Sequence, residues 1–313
     1  MKRILKELRR TYTFFRDMDW EYIIPCLFAH LKYKDSIQRG KAKRSLKQAF
    51  LERRFSHILE KYKSAVSAGS VNDGPIWVCW LQGEENMPPI VKRCYERLKL
   101  MAPKGREVVL LHLENIGQYV QLPECIYEKL RKGRISYIHF SDVMRMSLLA
   151  ERGGIWVDST IYVHSPIPES IFSKPYFSVR TVFDFDYAGA NRCLWKCFLM
   201  GAAAHSPWFC CAAEMKQEYW KTMDFALDYL IMDHLLLAAY DHNEDVQNGV
   251  DAGVELAPHI LGFEKIANEP CDEEKFRKMC EECRWFKLSY KMPFKEYTED
   301  GLLTYYGRLI SAE

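Results

Sequence analysis

The sequence predicts an α/β fold in which a mixed, mostly parallel sheet follows an N-terminal helical region. Two observations predict it. Between residues 75 and 157, short apolar runs flanked by Gly or Pro alternate with segments of helical periodicity, as in strand–helix units. Residues 1–63 carry apolar side chains at helical spacing, and the small, polar stretch 64–70 separates them from the rest. We therefore expect a basic helical region over 1–68 and one α/β domain over 69–313.

The N-terminal helical region is strongly basic. Residues 1–63 hold 17 Lys and Arg against 7 Asp and Glu, whereas the rest of the chain holds 27 against 35. Such a split indicates a basic arm that meets an anionic membrane surface. The alternative is that the helices simply pack on the acidic body, with the charges paired between them. We expect no nucleic-acid partner.

The N-terminus lacks the pattern of a secretory signal, because charges are spread through it and it contains no apolar core of sufficient length. The longest apolar run nearby, residues 22–29, is far too short to span a bilayer. Eleven cysteines, an odd number, fit no small-domain disulfide framework. These features predict a cytoplasmic protein with free thiols, peripheral on the inner face of the plasma membrane if the basic arm binds lipid.

Beyond the helical region, strands are predicted from short apolar runs and helices from apolar residues spaced three and four apart. The predicted strands are 75–81, 106–113, 155–157, 176–182, 194–200 and 286–290. The predicted helices are 90–100, 123–132, 142–152, 206–220, 226–240 and 273–283.

Asp158 is the foremost candidate for a functional residue. Residues 153–160 read GGIWVDST: a double glycine, three bulky apolar residues and then a lone carboxylate. Ligands of open α/β sheets lie beyond the carboxyl ends of strands, so Asp158 is placed to meet a polar ligand. A carboxylate there can hold a divalent cation that bridges the phosphates of a nucleotide sugar. The alternative is an Asp that stabilises a turn, since Asp-Ser-Thr is favourable turn chemistry.

Asp142 and Arg145 open the predicted helix 142–152 and lie three residues apart, so they are neighbours on one helix face. A structural interpretation makes Ser141 the N-cap, Asp142 a favourable acid in the first turn and Arg145 its partner. Ligand binding is compatible with that interpretation, because a helix N-terminus beside a strand end attracts an anionic or hydroxyl-rich ligand.

The segments 139–145 and 153–160 together resemble the shared core of the capsular polysaccharide synthesis glycosyltransferases, in the DXD sugar-binding group (glycosyltransferase family 32). Relatives of that group include fungal and animal α-glycosyltransferases and, more distantly, the large clostridial glucosylating toxins. Residues 76–88, IWVCWLQGEENMP, look like its first strand and loop. Asp233 and residues 287–291, KLSYK, are similar to weaker landmarks of the capsular subgroup.

The resemblance implies a GT-A fold, a nucleotide-diphosphate sugar donor and retention of anomeric configuration. It implies catalytic roles for Asp158, Asp142 and Arg145, with the latter two on ribose and donor-sugar hydroxyls. The loop that starts at Trp80 would receive the nucleoside. The substrate-binding residues expected on this basis are Trp80, Gln82, Gly83, Ser141, Gly154 and Asp233.

The same resemblance makes Asp158 the first residue of the DXD motif and puts Thr160 at its second acidic position. We expect Mn²⁺ or Mg²⁺ with Asp158 and Thr160 as ligands, although a hydroxyl binds a hard cation more weakly than a carboxylate. Either Asp158 works with an oxygen from elsewhere, or the dependence on metal is reduced. The segment Asp184-Phe185-Asp186 has DXD spacing but lacks the preceding Gly-Gly strand, and turn chemistry explains it better.

Other motifs narrow the function further. Cys280 and Cys283 have zinc-ligand spacing, but no second pair completes four ligands. The chain contains no GxGxxG, GxxxxGK[ST], GxSxG or HExxH pattern, which excludes the usual nicotinamide, P-loop, hydrolase and metalloprotease signatures. Trp77 and Trp80 have odd separation in a strand and must face opposite sides of it. The resemblance implies that Trp80 is the one on the nucleotide side.

We therefore predict a retaining glycosyltransferase that moves a hexose from a nucleotide-diphosphate sugar, expected to be a UDP-sugar. The acceptor would be a polysaccharide or a lipid-linked oligosaccharide in capsule or exopolysaccharide synthesis. Two alternatives remain open from the sequence: an effector-type glycosyltransferase that acts on proteins, and a catalytically decayed scaffold that binds nucleotide sugars.

Overall fold

A computed structural model of the chain describes residues 20–181 and 190–311. Residues 1–19, the first part of the predicted helical region, lie outside these ranges, as does Asp184-Phe185-Asp186. Three helices make up the described part of the N-terminal region: α1 (Trp20–Lys32), α2 (Ser36–Arg54) and α3 (Ser56–Tyr62).

The body that follows alternates strands and helices. Its elements in chain order are β1 (Ile76–Cys79), α4 (Pro89–Met101), β2 (Val108–Leu111), α5 (Ile116–Tyr119), α6 (Glu124–Arg131), α7 (Tyr137–Arg152), β3 (Gly154–Val157), β4 (Ile161–Val163), β5 (Tyr176–Arg180), β6 (Leu199–Ala202), α8 (Pro207–Thr222), α9 (Ile231–Asp241), α10 (Glu244–Gly253), β7 (Val254–Leu256), α11 (Phe263–Ile266), α12 (Glu273–Glu282), β8 (Trp285–Lys287) and α13 (Tyr305–Ser311).

Six strands form one sheet in the order β2-β1-β3-β6-β5-β7. β1 runs parallel to both β2 and β3, β5 runs parallel to β7, and β6 is antiparallel to its two neighbours. The predicted mixed, mostly parallel α/β sheet is confirmed. Because β1, β2 and β3 are parallel, their carboxyl ends lie at one edge of the sheet, which we call the strand-end edge.

Alternating residues of the strands point to opposite faces of the sheet and pack in two separate hydrophobic cores. Trp77 and Trp156 pack in the core that α7, α8, α9 and the N-terminal helices cover. Ile76 and Ile155 pack in the other core, which α4, α12 and β8 cover. Trp80 packs against this second core, so the prediction that Trp77 and Trp80 face opposite sides is confirmed.

The N-terminal helices are built into the first core rather than held apart from it. Phe50, Leu51 and Phe55 are almost completely buried there. Ion pairs join the same helices to the body: Lys61 contacts Glu214 at 2.7 Å, and Lys47 contacts Asp228. The charge pairing that the sequence left as an alternative is therefore present, and the boundary at residue 68 stays a prediction.

Gly154 is required where the start of β3 lies against Pro75, just before β1. Its φ of +91° is a conformation that side chains other than glycine rarely adopt. A Cβ there would lie 2.2 Å from the carbonyl oxygen of Pro75. The close approach allows the Ile155 N–H to donate to that oxygen at 3.0 Å, and the Trp77 indole N–H to donate to the Gly153 oxygen at 2.8 Å.

Several predicted bounds were wrong. Helix α7 begins at Tyr137, with Ser136 as the N-cap that accepts from the His139 N–H, so Ser141 lies inside the helix. The strand predicted over 194–200 starts only at Leu199, because residues 190–198 form turns. The helix predicted over 226–240 starts at Ile231. In the latter two cases apolar residues lie in turns before the element begins, and periodicity alone does not show where the backbone changes direction.

No helix in the described ranges has both the length and the apolar character needed to cross a bilayer. All eleven cysteines are free.

Candidate functional site

Asp158 follows β3 at the strand-end edge, as predicted. Its backbone N–H donates to the Phe198 oxygen at 2.9 Å, and its own oxygen accepts from the Ile161 N–H at 2.9 Å, so it also begins the turn into β4. Residues two apart in a strand lie on the same face, so the side chain of Trp156 lies beside that of Asp158. The Trp156 indole N–H donates to Oδ1 of Asp158 at 2.8 Å. Asp158 is therefore a turn residue as well as a carboxylate at a strand end, and its role toward a ligand stays a prediction.

Arg145 reaches Asp158 from α7. Its Nη2 donates to Oδ1 of Asp158 at 3.2 Å, and its guanidinium carbon lies 4.6 Å from the centroid of the Trp156 ring. Nη1 donates to the backbone oxygen of Cys197. The arginine side chain is 9% exposed, so the strand, the helix and the turn before β6 hold the guanidinium in a fixed place.

Lys287 approaches Asp158 from the opposite side. Its Nζ lies 3.0 Å from Oδ2 of Asp158 and donates to Oγ1 of Thr160 at 2.6 Å. Strand β8 pairs antiparallel with β4 in a separate two-stranded ribbon, with Lys287 opposite Ile161. The Leu288 N–H donates to the Thr160 oxygen at 2.8 Å, so backbone pairing fixes the lysine next to the two residues it contacts.

The charges around Asp158 favour an anionic ligand. Burial alone would raise the pKa of Asp158, but the charges of Lys287 and Arg145 and the Trp156 N–H together lower it below its usual value. The carboxylate is thus ionised at neutral pH and is flanked by two cations, which leaves one positive charge in excess. Asp158 is 27% exposed and Lys287 is 23% exposed, so a solute can reach the group.

Asp142 belongs to a second, deeper cluster. Its Oδ2 lies 3.6 Å from Nζ of Lys216 and 3.6 Å from Nδ1 of His139. Both distances are too long for direct hydrogen bonds, and neither nitrogen has another hydrogen-bond partner within the described ranges. Burial would raise the pKa of Asp142, but Lys216, His139 and Arg145 lower it. Burial lowers the pKa of Lys216, an effect that Asp142 opposes.

Asp142 and Arg145 share a face of α7, as their spacing predicted. The expected pair between them is replaced by other partners: Asp142 turns toward Lys216, and Arg145 turns toward Asp158. The arginine still lowers the pKa of Asp142 through its charge.

Asp233, in the first turn of α9, joins this region through Cys197. The Cys197 thiol donates to Oδ1 of Asp233 at 2.9 Å, and Asn191 donates to the same oxygen at 2.8 Å. Burial, together with the charge of Asp142, raises the pKa of Asp233. Because the Cys197 backbone oxygen accepts from Arg145, a chain of contacts connects Asp158 to Asp233.

The loop after β1 holds Trp80, Gln82 and Gly83 at the same edge. The half-buried Trp80 donates its indole N–H to the Asn86 oxygen at 3.0 Å and meets the ring of Tyr290 edge-on at 5.5 Å. Gln82 is exposed, and its backbone oxygen accepts from the Asn86 side chain. Gly83 has a φ of +83° and a free space around its Cα, so its turn needs glycine and leaves room beside the loop.

Two predicted site residues have different surroundings. Ser141 lies one turn into α7 and contacts the thiol of Cys79 at the end of β1, so it is at the strand-end edge but is not a cap. Gly154 lies at the opposite end of β3, about 13 Å from Asp158 at the usual strand rise. Its contact with Pro75 explains its identity, and we leave it out of the candidate site.

The oxygens expected to bind a divalent cation already accept other hydrogen bonds. Oδ1 of Asp158 accepts from Trp156 and Arg145, while its Oδ2 and the Thr160 hydroxyl both contact Lys287. Within residues 20–181 and 190–311, no three His, Cys, Asp or Glu residues form a group that could hold a metal ion. These residues as arranged do not fit Mn²⁺ or Mg²⁺, and the metal site stays a prediction.

Three side chains of the site were not singled out from the sequence. Lys287 was noted only as part of a terminal landmark, while Lys216 and Cys197 carried no signal of their own. Lys216 is completely buried in the middle of α8, and a buried ammonium requires a counter-charge, but only the structure shows that burial. The partners of Lys287 and Cys197 come from distant parts of the chain, so spacing could not reveal them.

Comparisons with known proteins give three findings. A family model described as "Capsular polysaccharide synthesis protein" matches residues 29–309. An O-glycosyltransferase (braB) of Annulohypoxylon truncatum is 27% identical over 111 residues, 33% of this chain; the match spans only 26% of that relative's length. The solved structure "PaToxG Glycosyltransferase" covers 66% of this chain and 83% of its own at 15% identity and a TM-score of 0.41, a likeness too distant to bear on function.

Proposed function

Because this chain belongs to the capsular polysaccharide synthesis family, we propose that it is a glycosyltransferase of GT-A type. It would transfer a hexose from a nucleotide-diphosphate sugar, with UDP the expected nucleotide, to a saccharide or lipid-linked saccharide. The observation that carries the proposal is the strand-end carboxylate Asp158 held between Arg145 and Lys287. A net positive charge at this edge of an α/β sheet suits the diphosphate of such a donor.

The surrounding residues suggest an orientation for the donor. The diphosphate would lie beside Lys287 and Arg145. The nucleoside would extend toward the loop of Trp80, where an aromatic ring and an open turn are available. The sugar would extend toward Asp142 and His139, whose side chains are 9% and 10% exposed, and Nδ1 of His139 has no hydrogen-bond partner within the described ranges.

The chemistry that we propose is substitution at the anomeric carbon. The bond from that carbon to the β-phosphate oxygen breaks, and both electrons remain on the departing diphosphate. The acceptor hydroxyl oxygen forms the new bond, and its proton passes to the diphosphate. Attack from the side that the diphosphate leaves would retain the anomeric configuration. The role of Arg145 and Lys287 is to stabilise charge on the leaving group, as preorganised cations do most effectively where water is partly excluded.

Thermal-shift binding tests the donor first. UDP-, GDP- and CMP-sugars are compared, each with and without Mn²⁺. We expect one UDP-sugar to raise the melting temperature, because a ligand that binds only the folded state stabilises it. A folded protein that none of the donors stabilises would contradict the proposed function.

Turnover separates an enzyme from a scaffold that only binds nucleotide sugars. With the stabilising donor and no acceptor, we expect slow release of UDP, because a poised site also admits water as nucleophile. Binding without any release, even with lipid-linked or free saccharide acceptors, would instead support the scaffold.

Helix α1 supports the proposal that the protein works at a membrane surface, where a lipid-linked acceptor would be found. Five of its apolar side chains are exposed and lie at positions i, i+4, i+7, i+8 and i+11, which is one helix face. They are Trp20, Ile24, Leu27, Phe28 and Leu31. The exposed Lys32 and Lys34 follow directly, within a region of excess positive charge. An amphipathic helix with aromatic residues and adjacent lysines suits the interface of an anionic bilayer, and we propose that surface as its partner.

Co-sedimentation with vesicles tests this surface. Binding to vesicles that contain phosphatidylserine is expected to fall in the double variant Leu27→Glu, Leu31→Glu and to stay unchanged in Leu100→Glu, which alters an equally exposed leucine of α4. Point changes are needed because removing residues 1–63 would also delete buried core residues of α2 and α3. Unchanged vesicle binding by the double variant would mean that this face of α1 does not bind the membrane. A dimer that the double variant dissociates and Leu100→Glu does not would mean that the face binds a second copy of the chain instead.

A further inference from the structure

We infer that the ammonium of Lys287 takes the position between residues 158 and 160 that a divalent cation would need, and that this protein binds its donor diphosphate without a metal ion. The inference rests on the proposed function, because the ligand it concerns is the diphosphate of the nucleotide sugar.

The first support is the geometry of the three residues. Nζ of Lys287 lies 3.0 Å from Oδ2 of Asp158 and 2.6 Å from Oγ1 of Thr160, so one cation bridges both positions of the motif. A metal ion placed between the same two oxygens would coincide with this nitrogen. The metal ion would have to displace the ammonium from the two oxygens, and the displaced ammonium would still repel it at short range.

The second support is that the backbone, rather than a flexible loop, holds Lys287 in place. It ends strand β8, which pairs with β4 in the register Ile161 with Lys287. The Lys287 N–H donates to the Ile260 oxygen at 2.9 Å, and the next residue donates to the Thr160 oxygen at 2.8 Å. The Nζ also lies 5.2 Å from the centroid of the Phe198 ring. A change of side-chain rotamer would leave these backbone bonds intact but would cost the ammonium its contacts with Asp158, Thr160 and the Phe198 ring.

The third support is the chemistry of residue 160. A carboxylate there would place two negative charges beside one lysine and would favour a divalent cation, whose natural ligands are oxygens of high charge. A hydroxyl adds a hydrogen-bond acceptor without adding charge. Asp158 and Thr160 together carry one negative charge, which already faces both Arg145 and Lys287 and leaves none to offset a doubly charged ion.

Asp158 gains a different role from this arrangement. It positions Lys287 through Oδ2 and Arg145 through Oδ1, so that the two cations stand on either side of one carboxylate. Lysine binds phosphate as a compact point charge, while arginine offers a planar set of donors. The pair supplies the stabilisation of the leaving diphosphate.

Isothermal titration calorimetry of the unaltered protein is the direct test. The probe is UDP, or whichever nucleoside diphosphate the thermal-shift comparison identifies, in EDTA and then with added Mn²⁺ or Mg²⁺. We expect binding in EDTA with an affinity that changes by less than about 2-fold on adding either metal, less than 0.5 kcal/mol. Binding that appears only with metal would overturn the inference and leave the proposed function intact. Binding of no nucleoside diphosphate under any condition would reject both.

Variants separate a direct contact from a structural role. We expect Lys287→Ala to weaken UDP binding in EDTA by about 10-fold or more, roughly 1.4 kcal/mol, and to leave the weaker binding of uridine unchanged. Lys287→Arg keeps the charge and should lose less. Lys295→Ala removes the same charge from an exposed pair with Glu299 and should bind UDP as before. Equal losses for UDP and uridine, in variants shown to be folded, would make Lys287 a structural residue and overturn the inference.

Discussion

Two carboxylates of this protein are each surrounded by nitrogen groups, but the distances to those groups differ. Asp158 accepts hydrogen bonds at 2.8–3.2 Å from Trp156, Arg145 and Lys287, and remains partly open to solvent. Asp142 lies 3.6 Å from both His139 and Lys216 and is 9% exposed. Both oxygens of Asp158 accept hydrogen bonds, so we call its centre complete. Asp142 lies beyond hydrogen-bond distance of its two nitrogens, so we call its centre incomplete.

The difference suits the two centres to different roles. The complete centre holds its cations in place before any ligand arrives, as stabilisation of a leaving group requires. The incomplete centre has nitrogens without hydrogen-bond partners in the described ranges, so hydroxyl groups of a ligand or ordered water can complete it. Under the proposed function, Asp142 would hold the hydroxyl-rich part of the donor, and Asp158 would organise the charge beside its diphosphate.

The largest effect is expected from breaking the buried centre. Asp142→Asn leaves the ammonium of Lys216, which has no solvent exposure, without its counter-charge. The free energy of unfolding should fall by roughly 3–5 kcal/mol, and the added change Lys216→Met should recover much of the loss. Urea unfolding of the two variants checks this. A loss below about 1 kcal/mol would show that the wide spacing already leaves the pair uncoupled.

At the complete centre, the main loss is expected in activity. Asp158→Asn removes the charge that positions Arg145 and Lys287, and transfer should fall about 100-fold, or 2.7 kcal/mol in the barrier. UDP release with donor and acceptor measures it, with a melting curve to verify folding. Asp241→Asn, which alters the carboxylate paired with Arg192, is the matched control and should keep its rate. Unaltered transfer by Asp158→Asn would remove Asp158 from the site.

A smaller, opposite effect on stability is expected at Asp233, which lies next to the incomplete centre. Burial and the charge of Asp142 raise the pKa of Asp233 in the folded protein, so ionisation of this carboxyl lowers the stability of the fold. The loss of stability grows as pH rises from the usual carboxyl range to the raised pKa. Asp233→Asn should therefore raise the melting temperature at pH 8, with a gain that shrinks as pH falls.

The other two carboxyls should respond to pH in the opposite direction. The pKa values of Asp142 and Asp158 are lowered, so their contribution to stability is present above the usual carboxyl range and is lost as pH falls through the folded values. Melting temperatures of the unaltered protein and of Asp233→Asn between about pH 3 and 8 measure both effects. A gain for Asp233→Asn that is independent of pH would indicate a packing effect instead.

The smallest effect is expected for the stability of the exposed pair. Asp158 and Lys287 are partly solvated, so their coupling energy in a double-mutant cycle of unfolding should be about 0–1 kcal/mol. The same cycle for Asp142 and Lys216 should give a larger value because that pair is buried. Equal coupling energies would mean that burial does not distinguish the two centres.

Much of the fold could be predicted from residue patterns. The alternation of apolar runs and helical segments predicted the sheet, and the string around Asp158 predicted a carboxylate at a strand end; both are confirmed. The family predicted from the same residues is confirmed as well. Boundaries were less predictable: α7 starts five residues before the predicted Asp142, because Ser136 and not Ser141 caps it.

The sequence by itself determined which elements form and where Asp158, Asp142 and Arg145 lie on them, because periodicity and strand ends are local properties of the chain. Only the tertiary structure decided which charges meet. Arg145 bonds to Asp158 rather than Asp142, and Lys287 reaches the motif from 129 residues away. Such pairs are set by the register between β4 and β8 and by the packing of α7 against β3, and neither contact can be read from the spacing of residues along the chain.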